Sequence, residues 1–414
     1  DDNHMFFWAF ESRNDPRNDP IILWLQGGPG GSSIMAGGLM ELGACKFDQD
    51  LPLPLAGTFN STIHNPYAWN ANATVIFVDQ PLDVGYSYGK RRVKRLNDAM
   101  DDLYAFLVRL FAARPEWGSR DFYIAGESYG GSWVPALGAT IHRMQTTICL
   151  RGIMIGNGLV DQRTQRRGNW ETACTSSGSG RAEPIFNETQ CNHLAASVPR
   201  CEALMQACED SGRDVNVCNL SEDWCFANGF DLLEQTPWNG YDLRINCTAT
   251  PELCNRPSAA MLAWVESDEV RDHLGVDVAR GPAQLVSQQV YKDFVANAEM
   301  GYPSHQWVTE LLEAGVRVLV YAGNRDWMCT APGLRLFVDN LVWTGNGPFR
   351  SAEYRQLYRE TLGLPAAGGE AAVGYHKRHS LLSFVEIEAA GHMVPMAQPE
   401  VAQAMFKGWL TGSL

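Results

Sequence analysis

The sequence predicts an α/β fold, a mostly parallel central sheet with helices on both faces and a disulfide-rich cap insertion. Three observations predict it. Short, near-continuous apolar runs (IILWLQ at 21–26, TVIFVD at 74–79, RVLVYA at 317–322) are the mark of strands buried on both faces. Segments with apolar residues at helical spacing lie between such runs, which implies strand–helix–strand units and a parallel sheet. Eight of the eleven cysteines then crowd into one polar stretch of about eighty residues near the middle of the chain.

In chain order, HMFFWAF (4–10) suits a strand and the turn residues ESRNDP close it. The abrupt start suggests that sheet residues preceding it are missing or were removed. The run at 21–26 delivers the chain into GGPGGSS (27–33). A glycine-rich turn after a buried strand could cradle phosphate, but the lysine of a P-loop is missing. The same geometry can present a backbone N–H to a developing oxyanion. The strand at 74–79 follows, then a helix over 97–113, which ends before Arg114-Pro115. The stretch DFYIAGESYGGSWVP (121–135) reads as a buried strand, a tight turn and a helix of small residues. After it, 150–155 is a strand that ends in Gly-Asn-Gly. From Asp161 the character changes to short polar segments with little long periodicity. The core is therefore expected over 1–160 and 256–414, with a cap insertion over 161–255. Beyond it come a helix at 304–314, the strand 317–322, a last strand at 384–389 and an amphipathic helix at 399–410.

Three residues stand just past predicted strand ends: Ser128 in Gly-Glu-Ser-Tyr-Gly, Asp326 in Gly-Asn-Arg-Asp, and His392 in Gly-His-Met-Val-Pro. Singly, they read as a helix-start serine, a turn aspartate and a loop histidine. Together, in the order Ser, Asp, His at the edge where functional loops gather, they read as the triad of an α/β-hydrolase fold. A hydroxyl is a weak nucleophile until an imidazole removes its proton, and a carboxylate must orient that imidazole.

The motifs WLQGGPGGSS, GESYGG, YAGNRD and GHMVP, with FFWAFESRNDP, NATVIFVDQP and IGNGL, make the chain resemble the serine carboxypeptidases over nearly its whole length. The resemblance implies Ser128 as nucleophile, His392 as general base and acid, Asp326 as its orienter, and the N–H groups of Gly28 and Tyr129 as the oxyanion hole. It implies an exopeptidase acting on peptide or protein C-termini. Glu127 adjoins the nucleophile, and Glu41 matches a second carboxylate that the resemblance places beside it. Two carboxyls in contact share a proton, so a protonated Glu127 could donate to the substrate's terminal carboxylate, with Gln26 and the Gly27 N–H as further donors, best at acidic pH. Some relatives of this fold are acyltransferases; the Glu127, Glu41 and Gln26 set speaks against that reading. Matching positions suggest Tyr129, Met300 and Met328 around the residue before the scissile bond, and Met40, Tyr241 and Met393 around the leaving residue. Methionine adapts its shape, so broad acceptance of apolar side chains is expected.

Departures from the pattern are also visible. The family usually has Asn at Gln26 and a cysteine at Gly31, whose partner is likewise missing between Val265 and Met300. One extra residue lies between Ser33 and Glu41. The cysteine ladder matches family pairings Cys174 with Cys191, Cys201 with Cys225, Cys208 with Cys218, and Cys247 with Cys254. Cys45, Cys149 and Cys329 are left over; Cys329 is implied to be a free thiol, and Cys45 and Cys149 are either two free thiols or a further bridge.

The composition limits partners and location. A net charge of −14 with no basic face argues against nucleic acid. No apolar run approaches a membrane span. No Cys-x-x-Cys pair offers a zinc site, and no cofactor is called for. Dense cysteines and five Asn-x-Ser/Thr sequons, at Asn60, Asn72, Asn187, Asn219 and Asn246, point to an N-glycosylated protein of the secretory pathway, vacuolar, lysosome-like or extracellular. No signal peptide is visible, as expected of a mature, processed chain.

Overall fold

Every side chain of the run Ile21–Leu25 is buried, because in a strand covered on both faces the two alternating sets of side chains both need an apolar partner. In the computed structural model, which describes residues 2–47, 62–145, 147–175, 183–248, 254, 261–366 and 372–414, this run is one strand of a nine-stranded sheet. In chain order the strands are β1 (Phe7–Phe10), β2 (Ile21–Leu25), β3 (Thr74–Val78), β4 (Phe122–Glu127), β5 (Leu150–Gly156), β6 (Arg317–Gly323), β7 (Arg355–Tyr358), β8 (Ala372–His379) and β9 (Leu382–Ile387). Across the sheet they run β7-β8-β9-β6-β5-β4-β2-β3-β1. The six strands from β9 to β3 are parallel, and antiparallel pairs at the two edges complete the sheet.

The alternation of side chains divides the core in two. Ile21, Leu23, Leu25, Ile153, Val318 and Val320 face one side, where the helices α1 (Leu96–Ala113) and α2 (Gly130–Arg143) pack. Ile22, Trp24, Phe77, Met154, Leu319 and Val385 face the other, against Phe406 and Trp409 of the last helix.

The stretch expected to be short polar segments is largely helical. It holds α3 (Gln162–Cys174), α4 (Glu188–Asp210, 23 residues) and α5 (Val215–Ala227). The buried positions of α4 are Leu194, Ser197, Cys201, Met205 and Cys208, spaced three or four apart. Cystines and a serine stand where aliphatic residues usually form the stripe, so hydropathy shows little of the period. Four disulfides fasten the region, Cys174–Cys191, Cys201–Cys225, Cys208–Cys218 and Cys247–Cys254, the pairings that the resemblance implies. Cys45, Cys149 and Cys329 are free thiols.

The chain then returns to the sheet through α6 (His305–Glu313), α7 (Ala331–Asn340) and α8 (Pro399–Thr411). Helix α3 lies directly on α7. A Cβ on Gly168 would fall 2.1 Å from the Gly333 nitrogen, so only glycine permits that approach. In this way a helix of the insertion is packed onto the core beside the loop that follows β6.

Candidate active site

Ser128 follows β4 and precedes α2, and its φ is +62°, a left-handed conformation rare for a side-chain-bearing residue. The turn is held by Ser128 N–H donating to Gly156 O (3.1 Å) and by Gly131 and Leu159 N–H donating to Ser128 O (2.9 and 2.7 Å). The 27–28 turn presses on this elbow: a Cβ on Gly27 would lie 2.4 Å from the Tyr129 nitrogen. Bare backbone at 27 therefore lets the turn pack against the elbow, and Gly28, Ser128 and Tyr129 line one cavity.

Asp326 lies past β6 and His392 past β9, and both are buried. His392 Nδ1 is 2.7 Å from Asp326 Oδ2. The same oxygen accepts from Asn157 Nδ2 (2.9 Å) and Cys329 N–H (3.0 Å), while Oδ1 accepts from Met328 N–H (2.8 Å). Asn157, just beyond β5, also accepts from Gly323 N–H through Oδ1 (3.0 Å). One amide thus joins the ends of β5 and β6 and aims the carboxylate. Burial disfavours the imidazolium, but the Asp326 carboxylate raises His392 above the usual imidazole range, and an ionised Glu127 would add to this. The opposite ring nitrogen, Nε2, is buried without a partner among the described residues. A short hairpin steadies both loops: His392 N–H donates to Tyr241 O (2.7 Å) and Trp327 N–H to Gly240 O (2.9 Å).

Beside the elbow sits a second buried group. Glu127, the last residue of β4, accepts from Gln26 Nε2 through Oε1 (3.0 Å), and the Gln26 amide is itself oriented by Trp24 Nε1 donating to Oε1 (2.9 Å). Gln26, longer by a methylene than the family's Asn, still reaches the carboxyl. Glu41 lies against Glu127 from a π-helix, Ser33–Leu42. A π-turn holds more residues than an α-turn, which absorbs the extra residue between Ser33 and Glu41. The start of that helix is pinned by Asp79, whose Oδ1 accepts from Ser32 Oγ (2.7 Å) and Ile34 N–H (3.3 Å). Where the family pattern has a cysteine at Gly31, backbone bonds make the tie instead: Ser32 N–H to Leu285 O and Ser287 N–H to Gly30 O, each 2.9 Å.

Both oxygens of Glu41 and Oε2 of Glu127 are buried with no hydrogen-bond partner among the other described residues. Two ionised carboxylates in contact there would face desolvation and mutual repulsion at once. Burial pushes Glu41 up to about 8, and burial plus the Glu41 charge pushes Glu127 well above the usual carboxylate range. The pair therefore keeps at least one proton through the acidic range, available for donation.

The cavity beside Ser128 measures about 410 Å³. Tyr129, Tyr241, Met300 and Met328 line it; Met40 and Met393, half-buried near the clamp and His392, are not among its walls. Tyr241 sits edge-on to the His392 ring, 5.1 Å between centroids. Arg166 of α3 and Glu222 of α5, which sequence reasoning did not single out, also face the cavity. Asn157 was missed as well, although its place in Gly-Asn-Gly after a strand was a signal of the kind that pointed to Asp326.

Comparison with known proteins places these observations in a family. The profile of the serine carboxypeptidases matches residues 1–412. A carboxypeptidase Y homolog A from Coccidioides posadasii (strain C735) is 35% identical over 412 residues, covering 99% of this chain and 72% of that protein. Another carboxypeptidase Y homolog A, from Trichophyton verrucosum (strain HKI 0517), is 36% identical over the same length and shares of each chain. Among solved structures, the Kex1 prohormone-processing carboxypeptidase of Saccharomyces cerevisiae superposes with a TM-score of 0.82 at 23% identity, covering 100% of this chain and 87% of that one.

Proposed function

The chain belongs to the serine carboxypeptidase family, and from that premise we propose that Ser128, His392 and Asp326 form its triad while Glu127, Glu41 and Gln26 hold the carboxylate of the peptide being shortened. The protein is a hydrolase acting on peptide C-termini. In the proposed cycle the Ser128 Oγ attacks the last peptide carbonyl while His392 Nε2 takes the hydroxyl proton. The carbonyl oxygen gains charge against the Gly28 and Tyr129 amides. His392 then passes the proton to the leaving amine, the C–N bond breaks, and the free amino acid departs. Water, deprotonated by His392, attacks the acyl-serine ester and returns Ser128 to its hydroxyl form.

The observation that carries the exopeptidase reading is the buried, proton-sharing Glu127–Glu41 pair one residue from the nucleophile. A neutral carboxyl can donate to an anionic terminus; an ionised one would repel it. The Gln26 amide and Gly27 N–H complete the clamp. Activity at acidic pH and broad acceptance of apolar side chains in the cavity, walled by Tyr129, Met300 and Met328, belong to the same reading; Met40, Tyr241 and Met393 are assigned to the leaving residue.

Four disulfides support passage through the secretory pathway to a vacuole, a lysosome-like compartment or the exterior. Among the described residues, no helix is long and apolar enough to cross a membrane. N-linked glycans are proposed at the sequons. Asn187 is exposed, Asn72, Asn219 and Asn246 are partly buried, and Asn60 lies outside the described residues.

The test compares an N-blocked dipeptide with its C-terminally amidated twin between about pH 4 and pH 8, scoring released amino acid. The free acid should be cleaved at low pH and the amide much more weakly, with neither cleaved by Ser128→Ala. Equal turnover of acid and amide would remove the clamp; activity retained in Ser128→Ala would remove the nucleophile.

A further inference from the structure

The cavity beside Ser128 is not wholly apolar. Ser128, Gly28 and Tyr129 line it, whereas Gln26, Glu41 and Glu127 do not. On the reading given above, the clamp residues take the leaving residue, so the cavity receives the side chain before the scissile bond.

Within it, Arg166 is 8% exposed. Its Nη2 donates to Gln162 Oε1 (2.5 Å), and the guanidinium carbon lies 4.4 Å from the centroid of the Phe230 ring. Its Nε is buried with no acceptor among the described residues. Burial lowers the guanidinium to about 10, still charged at any pH where the enzyme would work. A guanidinium held by one neutral amide and one ring, with an N–H unanswered, is a poor structural choice unless something arrives to answer it.

The other charged groups around the cavity do not take that role. Glu222 is buried, and its Oε1 accepts from Gly301 N–H (2.7 Å). Burial pushes its carboxyl up to about 7, so it is neutral in acid. Asp223 and Asp231 line the cavity from more exposed positions. Burial keeps Cys329 a thiol. In acid, then, the buried charge of the cavity is that of Arg166.

We propose that Arg166 is a specificity-determining residue that hydrogen-bonds a carbonyl or carboxylate oxygen at the end of the penultimate side chain, so that peptides with glutamate or glutamine second from the C-terminus are favoured substrates. The apolar walls of Tyr129, Met300 and Met328 pack the methylene stem, and the planar guanidinium fork receives the oxygen. Methionine has the same reach without the acceptor, and lysine carries the wrong charge.

The test measures kcat/KM, with kcat and KM separated, for four N-blocked dipeptides ending in the same residue, with Glu, Gln, Met or Lys before it, at about pH 5. Wild type, Arg166→Met and Arg166→Lys are compared, and reaction of Ser128 with a fluorophosphonate confirms that each variant is folded. In wild type the order should be Glu and Gln above Met, and Met above Lys. In Arg166→Met the Glu-to-Met ratio of kcat/KM should fall about 10- to 100-fold, because a buried polar group discriminates strongly only while its partner exists. Arg166→Lys should restore part of the preference for Glu but little for Gln. A uniform loss on all four peptides would make Arg166 merely structural and overturn the proposal. So would a wild type that prefers Lys, since Glu222 and the rim aspartates would then set the specificity. If wild type cleaves none of the four, Met included, the peptidase reading fails and this proposal falls with it.

Discussion

Asp326→Asn is expected to lower kcat about 10⁴-fold while leaving KM within a few-fold of wild type. The carboxylate receives four donors: His392 Nδ1, Asn157 Nδ2 and the N–H groups of Cys329 and Met328. Every one of these needs an acceptor, and an ionised carboxylate is acceptor-only. Asparagine would turn an NH₂ toward one set of donors. Its least unfavourable arrangement makes Nδ1 of His392 the acceptor and leaves the ring proton on Nε2, the atom that must remove the hydroxyl proton. The same change withdraws the carboxylate charge that raises His392. Steady-state release of free amino acid measures the effect, and thermal unfolding checks that the variant folds. A loss of less than tenfold would show that Asp326 does not set the tautomer.

Replacing the clamp should change the shape of the pH profile as well as its height. With the free-acid peptide, wild-type activity falls as pH rises, because the protonated carboxyl pair binds the anionic terminus and the ionised pair repels it. Glu41, pushed up to about 8, marks where that loss is centred. In Glu127→Gln the donor is permanent, so the alkaline fall should vanish. Glu127→Ala removes the donor altogether. Its kcat/KM on the free acid should drop about 10²-fold with little change on the amidated twin, the worth of one or two charge-assisted hydrogen bonds. Wild-type hydrolysis of the free acid still rising at about pH 8, or an unchanged alkaline limb in Glu127→Gln, would be incompatible with this role.

What could be read in advance followed from how locally each feature is encoded. The strands Ile21–Leu25, Thr74–Val78 and Arg317–Gly323 are written in consecutive apolar residues, and the turn around Ser128 in two glycines. The Gln26–Glu127 bond joins residues 101 positions apart and could be anticipated only through the resemblance. The helices Glu188–Asp210 and Val215–Ala227 escaped because their buried stripes are made of cystine, serine and glutamate. Arg166 and Glu222 sit on helices of that same region. They looked like surface charges in a polar stretch, and only tertiary packing buries them. The π-helix at Ser33–Leu42 had no signal beyond one supernumerary residue.

The buried acids have a consequence for where the molecule can endure. Glu41, Asp79 and Glu222 titrate at about 8, 6 and 7 in the folded chain, against ordinary values near 4 once it is unfolded. Over that interval these three groups bind more protons in the native state than in the unfolded one, so the stability they contribute is fully present below about pH 4 and is lost as pH rises from there to about 8. Each withheld proton removes about 1.4 kcal/mol per pH unit. Glu41, which serves the clamp, therefore also tethers the fold to acid: a molecule that strays into alkaline surroundings loses its grip on substrate and part of its own cohesion together.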